Sequence, residues 1–83
     1  MKVNIKTYFP SYSSAVQWAY DSAVRQGYNI DIESWAQQIT FGQGKPAIGQ
    51  TVRHSIELLN AKKCLHIQVY GMKASYELNY YIN

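Results

Sequence analysis

The chain has little cysteine, little charge and no long apolar run. Its one cysteine, Cys64, cannot form a disulfide within the chain, and no C-x-x-C pair or Cys/His zinc spacing occurs among the 83 residues. No stretch approaches the ~20 apolar residues of a membrane span, and residues 1 to 9 alternate where a secretory signal would be continuously apolar. These absences favour a reducing compartment. We expect a cytoplasmic protein with no metal, cofactor or membrane partner.

What the chain does contain is enough apolar and aromatic residues to fold. It is 47% hydrophobic and 16% charged, which excludes disorder of the highly charged kind. The length predicts a single domain spanning residues 1–83. A domain of this size buries only roughly 60 to 65% of its unfolded surface, so any site on it is expected to be shallow. The chain has 8 tyrosines, and tyrosine suits half-buried strand faces and contact surfaces.

The charge is unevenly distributed along the chain. The net charge is +3, and the positive surplus lies after Gly42. The carboxylates there are Glu57 and Glu77, and the cations are Lys45, Arg53, Lys62, Lys63 and Lys73. Such a surplus permits weak attraction to nucleic acid or to an acidic protein, although lysines in turns most often serve solubility.

The N-terminal third predicts a strand followed by a helix. Residues 3 to 9 alternate between apolar and polar until Pro10 ends the strand. Ser11 or Ser13 is the candidate N-cap and Gly27 the stop signal of a helix of about three turns. Small residues recur every four positions and allow this helix to approach a sheet closely: Ala15, Ala19 and Ala23.

The next segment fits two patterns. Tyr28, Ile30 and Ile32 alternate as in a strand, but a longer helical spacing begins after Asp31, which is a good N-cap. The members of that helical pattern are Ile32, Trp35, Ala36 and Ile39. We predict a short helix from about Ile32 to Gln38.

Three alternating runs close the chain and predict hairpins at residues 60 to 63 and 71 to 73, with Gly71 at the positive φ of a type II′ turn. The inward residues are Val52, His54, Ile56, Leu58, Leu65, Ile67, Val69, Tyr76, Leu78, Tyr80 and Ile82. The predicted fold is α+β in the order β-α-α-β-β-β, an antiparallel meander sheet with one or two helices on one face. The position of the first strand in the sheet stays open. We expect His54 to be a hydrogen-bonded core or edge histidine.

The outward residues form a mixed aromatic and polar surface. They are Thr51, Arg53, Ser55, Glu57, Leu59, Cys64, His66, Gln68, Tyr70, Ser75, Glu77, Asn79 and Tyr81, joined by Lys2, Asn4, Lys6 and Tyr8 if the first strand pairs in. Tyrosine beside Arg, Asn and Gln is typical of protein-binding patches. Exposed aromatics with cations also bind nucleic acid strands, although Glu57 and Glu77 lie in the same patch. Our candidate interaction residues are Tyr8, Lys45, Arg53, His66, Tyr70 and Tyr81. Exposed sheet edges leave a homodimer open as well.

His66 is the one outward residue that suggests acid-base chemistry. A hairpin closed across Asn60 and Lys63 would place Glu57 opposite His66, and the last strand would add Glu77 or Asn79. A histidine between carboxylates can act as a general base. Because no nucleophile, oxyanion donor pair or pocket accompanies it, we interpret the group as a polar ladder and expect neither catalytic residues nor an enzyme.

The glycine-rich stretch "TFGQGKPAIGQT", residues 40 to 51, superficially fits a phosphate-binding fingerprint. That fingerprint needs a strand before it and a helix after it, whereas here a helix precedes and a strand follows. We interpret the stretch as a structural loop. Gly42 is predicted to be a left-handed helix cap, Pro46 to stiffen the loop, and Lys45 to project from it toward a partner.

The segments "GKPAIGQTVRHSIELL", "LHIQVYG" and "YELNYYI" resemble small, functionally uncharacterised proteins encoded by tailed bacteriophages. The resemblance lies mainly in residues 33 to 83. It implies a phage accessory protein that works in the host cytoplasm by binding. We therefore predict a small non-catalytic interaction protein that binds and modulates a host protein through its tyrosine-rich sheet face, with nucleic-acid binding through the same face as the alternative.

Overall fold

The computed structural model describes residues 7 to 83 and shows the predicted α+β fold. The described strands form one antiparallel sheet of order β1-β4-β3-β2, and the helices pack on one face of it. Their bounds are β1 Tyr8–Phe9, α1 Tyr12–Arg25, α2 Ile32–Trp35, a π-helical segment Ala36–Thr40, β2 Thr51–Glu57, β3 Cys64–Gly71 and β4 Tyr76–Ile82.

The first strand joins the sheet beside the last one. Tyr8 pairs with Glu77 and Phe9 with Tyr76, and the Leu78 N–H donates to the Thr7 carbonyl at 2.7 Å. Residues 1 to 6 of the predicted strand, including Lys2, Asn4 and Lys6, lie outside the described residues. Tyr8 is therefore the described member of this strand on the outward face.

Helix α1 begins and ends as its capping residues predict. The Ser11 hydroxyl accepts from the Ser14 N–H at 3.0 Å, a cap that stabilises a helix by about 1 kcal/mol. The helix stops one residue before Gln26, and Gly27 then takes a φ of 95° that a residue with a side chain rarely adopts. The alanine strip is fully buried on the sheet: Ala15, Ala19 and Ala23.

The second helical segment runs two residues further than predicted and changes its pitch. Asp31 caps α2 by accepting from the N–H groups of Glu33 and Ser34. From Ala36 to Thr40 the chain is π-helical. In this wider turn the Gln38 side chain donates to the Ser55 carbonyl and accepts from the Ser55 N–H of β2. The helical pattern in the sequence does not reveal this contact.

The first hairpin has a different register from the predicted one. Glu57 pairs with Cys64 and Ser55 with His66, so Glu57 does not face His66. The reason lies in the turn, where Asn60 accepts from the Asn29 N–H at 2.9 Å and donates to the Gly27 carbonyl at 2.9 Å. Because Asn60 bonds to the segment after α1, it does not pair with Lys63, and the turn between β2 and β3 is longer than predicted.

The second hairpin has a longer turn than predicted, and His66 pairs with Tyr81 and not with Glu77 or Asn79. Gly71 pairs with Tyr76, and the Met72 N–H donates to the Ser75 carbonyl at 3.0 Å. The prediction of a positive φ at Gly71 is wrong. Glycine is needed there because a Cβ would overlap with the Ala47 carbonyl oxygen of the 41 to 50 loop.

The predicted left-handed cap at Gly42 is also wrong. The glycines with positive φ are Gly27, Gly44 and Gly49. At Gly42 a Cβ would overlap with the carbonyl oxygen of Gln38, so this glycine permits a close backbone approach.

Both registers differ from the predicted ones by an even number of residues, so the residues within the strands lie on the predicted faces. The helix-facing side forms the core, in which Ile56, Leu65, Ile67 and Val69 are fully buried. Other members are Phe9, Val16, Ile30, Leu58 and Leu78.

Candidate interaction face

Among residues 7 to 83, no helix or strand covers the side of the sheet turned away from the helices, and we call this side the open face. Its side chains come from all the described strands and alternate with the buried core residues. They are Tyr8, Thr51, Arg53, Ser55, Glu57, Cys64, His66, Gln68, Tyr70, Glu77, Asn79 and Tyr81. Leu59 and Ser75, which were predicted to belong to it, lie in the connections between strands.

Three side chains on β2, β3 and β4 form a row across the open face with defined contacts. His66 pairs with Ser55 on one side and Tyr81 on the other. The Ser55 hydroxyl lies 3.0 Å from His66 Nδ1. The His66 and Tyr81 rings stack with centroids 4.7 Å apart and 25° between their planes. The strand register thus orders an imidazole and a phenol before any partner arrives.

Next to this row the open face is slightly concave. The depression measures about 120 Å³, and its lining mixes one cation, one carboxylate, amides and an aromatic ring: Thr51, Arg53, Gln68, Tyr70, Glu77 and Asn79. Small-molecule sites typically measure about 300 to 1,000 Å³ and are mostly apolar. The depression is better suited to receive a protruding side chain of a macromolecule than to enclose a small ligand.

The aromatic residues of the open face are accessible. Tyr8, Tyr70 and Tyr81 are 56%, 40% and 50% exposed. Tyr70 pairs with Glu77, which in turn pairs with Tyr8, so a carboxylate lies between two of the rings. The open face is therefore rich in tyrosine without being uniformly basic.

The predicted interaction residues share this face with one exception. Tyr8, Arg53, His66, Tyr70 and Tyr81 lie on it. Lys45 instead lines a separate open cavity of about 420 Å³ with Tyr12 and Tyr76 at the start of α1. A partner on the open face therefore has no direct requirement for Lys45.

His54 belongs to the core, as predicted. It is 6% exposed, and its Nε2 lies 2.7 Å from the Tyr12 hydroxyl. Burial lowers the pKa of His54 and raises the pKa of Tyr12. The Tyr12 partner was missed in the sequence because it comes from a helix whose rotation relative to the sheet no local pattern gives.

Two further features escaped prediction. Gln38 bonds to Ser55 across the outer edge of β2, and glutamine in a helical pattern gives no signal for such a role. Phe41 and Ile48 are 80% and 70% exposed at either end of the glycine loop. Neither residue was among the predicted interaction residues.

Residues 7 to 83 bring together no group of three or more His, Cys, Asp or Glu side chains that could hold a metal ion. No helix in this part of the chain is long and apolar enough to cross a membrane. A scan against protein-family models and searches of curated proteins and solved structures found no match to this chain.

Proposed function

We propose that this chain is a small non-catalytic interaction protein whose open face binds another protein. The observation that supports the proposal most is the ordered His66–Tyr81 stack on a sheet surface that the helices leave uncovered. A rigid aromatic pair offers a large contact area and loses little conformational entropy on binding.

The composition of the open face supports a protein partner more than a nucleic acid. Tyr70 and Arg53 line the same depression, and tyrosine and arginine are the residue types enriched in the binding centres of protein interfaces. The His66 and Tyr81 rings already cover one face of each other, which leaves fewer ring faces for bases. Glu57 and Glu77 would also repel phosphates.

We further propose that the protein is phage-encoded and acts in the host cytoplasm by modulating the host protein it binds. The support is the resemblance of residues 33 to 83 to small phage proteins and the suitability of so small a fold for binding. Occupation of a functional surface of the target would suffice for modulation.

The experiment compares three purified forms of the protein. One is the unchanged chain, the second carries Tyr70→Ala with Tyr81→Ala, and the third carries Val24→Ala with Ile32→Ala. Val24 and Ile32 are 49% and 60% exposed on the helical side, so the third form removes exposed apolar side chains away from the open face. A partner captured from host lysate is identified, purified and titrated calorimetrically against each form.

We expect the Tyr70/Tyr81 variant to bind at least tenfold more weakly, because truncating an aromatic hot-spot residue of a protein interface costs about 2 kcal/mol or more. The Val24/Ile32 variant should bind as the unchanged protein does. Equal affinity for all three forms would overturn the use of the open face.

The nucleic-acid alternative is tested with a labelled single strand and a labelled duplex at about 50 and 200 mM salt. Phosphate contacts make affinity fall steeply with salt. Binding that weakens steeply with salt and disappears on Arg53→Ala would favour nucleic acid over a protein partner.

A further inference from the structure

β2 is an edge strand of the sheet. Some of the backbone groups along its outer edge have hydrogen-bond partners among residues 7 to 83 and others do not. The even-numbered residues of β2 bond toward β3, in phase with Leu58 just beyond the strand, whose N–H donates to the Lys63 carbonyl at 3.3 Å. The N–H and C=O groups of the odd-numbered residues therefore point away from the sheet. These residues are Thr51, Arg53, Ser55 and Glu57.

Half of this edge is occupied by the second helical segment. Gln38 Oε1 accepts from the Ser55 N–H at 2.8 Å, and Gln38 Nε2 donates to the Ser55 carbonyl at 2.5 Å. The Glu57 N–H donates to the Ser34 hydroxyl at 3.3 Å, and the Glu57 carbonyl accepts from the Asp31 N–H at 3.0 Å. Each of these edge groups thus has the partner that a further strand would otherwise supply.

The Gln38 amide is chemically suited to this position. A primary amide presents one acceptor and one donor side by side, as a residue of a neighbouring antiparallel strand does. The π-helical turn carries Gln38 at its centre, and Ser34 one turn earlier contacts the next edge position. The segment from Asp31 to Gln38 therefore ends the sheet in place of a strand.

The other half of the edge is open. No hydrogen bond formed within residues 7 to 83 reaches the edge-facing groups of Thr51 and Arg53. The Arg53 side chain is exposed. A charged side chain on an edge strand discourages pairing with another chain.

We propose that Gln38 and Arg53 together prevent β2 from pairing with β2 of a second copy of this chain. Gln38 limits the unpaired run to Thr51 and Arg53. Without its side chain the run extends through Ser55, and an antiparallel pairing centred on Arg53 would match Thr51 of each copy with Ser55 of the other. That pairing sets the two Arg53 side chains directly opposite each other, where like charges destabilise a sheet.

The test uses sedimentation velocity over a series of protein concentrations. The variants are Gln38→Ala, Arg53→Thr and the double variant. Gln37→Ala is the matched control for the amide, since Gln37 is exposed beside Gln38. Lys73→Thr is the control for charge, since it removes one cation outside β2.

We expect the unchanged chain and both controls to sediment at the monomer mass of 9.5 kDa. The double variant should shift to twice that mass at the lowest concentration, and each single variant only at higher concentrations. Hydrogen exchange should show the Arg53 and Ser55 amides gaining protection as the dimer forms.

A double variant that is folded by circular dichroism and stays monomeric would overturn the proposal. So would a dimer whose Arg53 and Ser55 amides gain no protection, or an unchanged chain that already dimerises through this edge. If Gln38→Ala does not fold, Gln38→Leu replaces it, because leucine keeps much of the side-chain volume but can neither accept from the Ser55 N–H nor donate to the Ser55 carbonyl. The same outcomes then apply.

Discussion

The two faces of the sheet use the same strands for different purposes. On the covered face, Ile56, Leu65, Ile67 and Val69 are fully buried beneath the helices. On the open face, the alternate residues of those strands carry hydroxyl, imidazole, amide and phenol groups in contact with solvent. The difference indicates that stability is concentrated on one face, which leaves the residues of the other free to be selected for contact with a partner.

The largest expected difference in stability is between alanine substitutions at two neighbouring residues that lie on opposite faces of the sheet. Ile67→Ala removes a fully buried side chain and should lower the free energy of unfolding by about 2 to 5 kcal/mol. Gln68→Ala, one position along on the open face, should change it by no more than about 0.5 kcal/mol. Urea unfolding of the two variants measures both. Equal losses would contradict the division between the faces.

The next effect concerns the polar pair within the covered face. Tyr12→Phe removes the hydroxyl that lies 2.7 Å from His54 Nε2 and leaves a buried imidazole nitrogen without that partner. We expect a loss of about 1 to 3 kcal/mol in the free energy of unfolding. The double variant Tyr12→Phe with His54→Leu should recover much of it, because neither polar partner remains. No recovery would show that packing, and not the hydrogen bond, determines the loss.

The same pair predicts how stability depends on pH. Burial lowers the pKa of His54 in the folded chain, so the unfolded chain takes up the proton first as the pH falls below about 6.5. This contribution to stability is complete above that pH and is lost toward the lower folded pKa, by up to about 1.4 kcal/mol per pH unit. Unfolding between pH 7.5 and 5 should show a shallower dependence in the double variant. An unchanged slope would assign the effect to other groups.

A third change tests the contact between the glycine loop and the end of β3. Gly71→Ala places a Cβ against the Ala47 carbonyl and should cost about 1 to 3 kcal/mol, the usual range for added volume in a packed position. Ala74→Gly, in the exposed turn that follows, serves as a control of similar size. If Gly71→Ala is neutral, the loop does not hold the tight position described.

The smallest expected effect on stability lies on the open face. Tyr81→Ala breaks the stack on His66 and, because Tyr81 is 50% exposed, should lower the free energy of unfolding by about 0.5 to 1 kcal/mol. Thermal unfolding measures this directly. A loss as large as that of Ile67→Ala would mean that the open face is structural.

The sequence predicted the faces because burial imposes a period of two on every strand. The assignment of Arg53, His66, Tyr70 and Tyr81 to the open face needed only that alternation. The capping residues Ser11 and Asp31 were likewise predictable, because helix starts have local chemistry.

The registers and the glycine roles were not predictable in the same way. Asn60 fixes the first hairpin through Gly27 and Asn29, which lie far away in the sequence. Gly71 and Gly42 are needed because other backbone segments approach them closely. The Ser55–His66–Tyr81 row follows from these registers, so its members were foreseen on the open face but not as neighbours.

The central claim, that the open face binds a protein partner, is tested most directly by mapping contacts residue by residue. The identified partner is titrated into isotope-labelled protein, and backbone amide signals are followed by nuclear magnetic resonance. We predict that the signals of Arg53, His66, Tyr70 and Tyr81 shift or broaden, while those of the α1 surface around Gln17 and Asp21 remain in place. Changes confined to α1 or to the 41 to 50 loop, with the open face unaffected, would contradict the account.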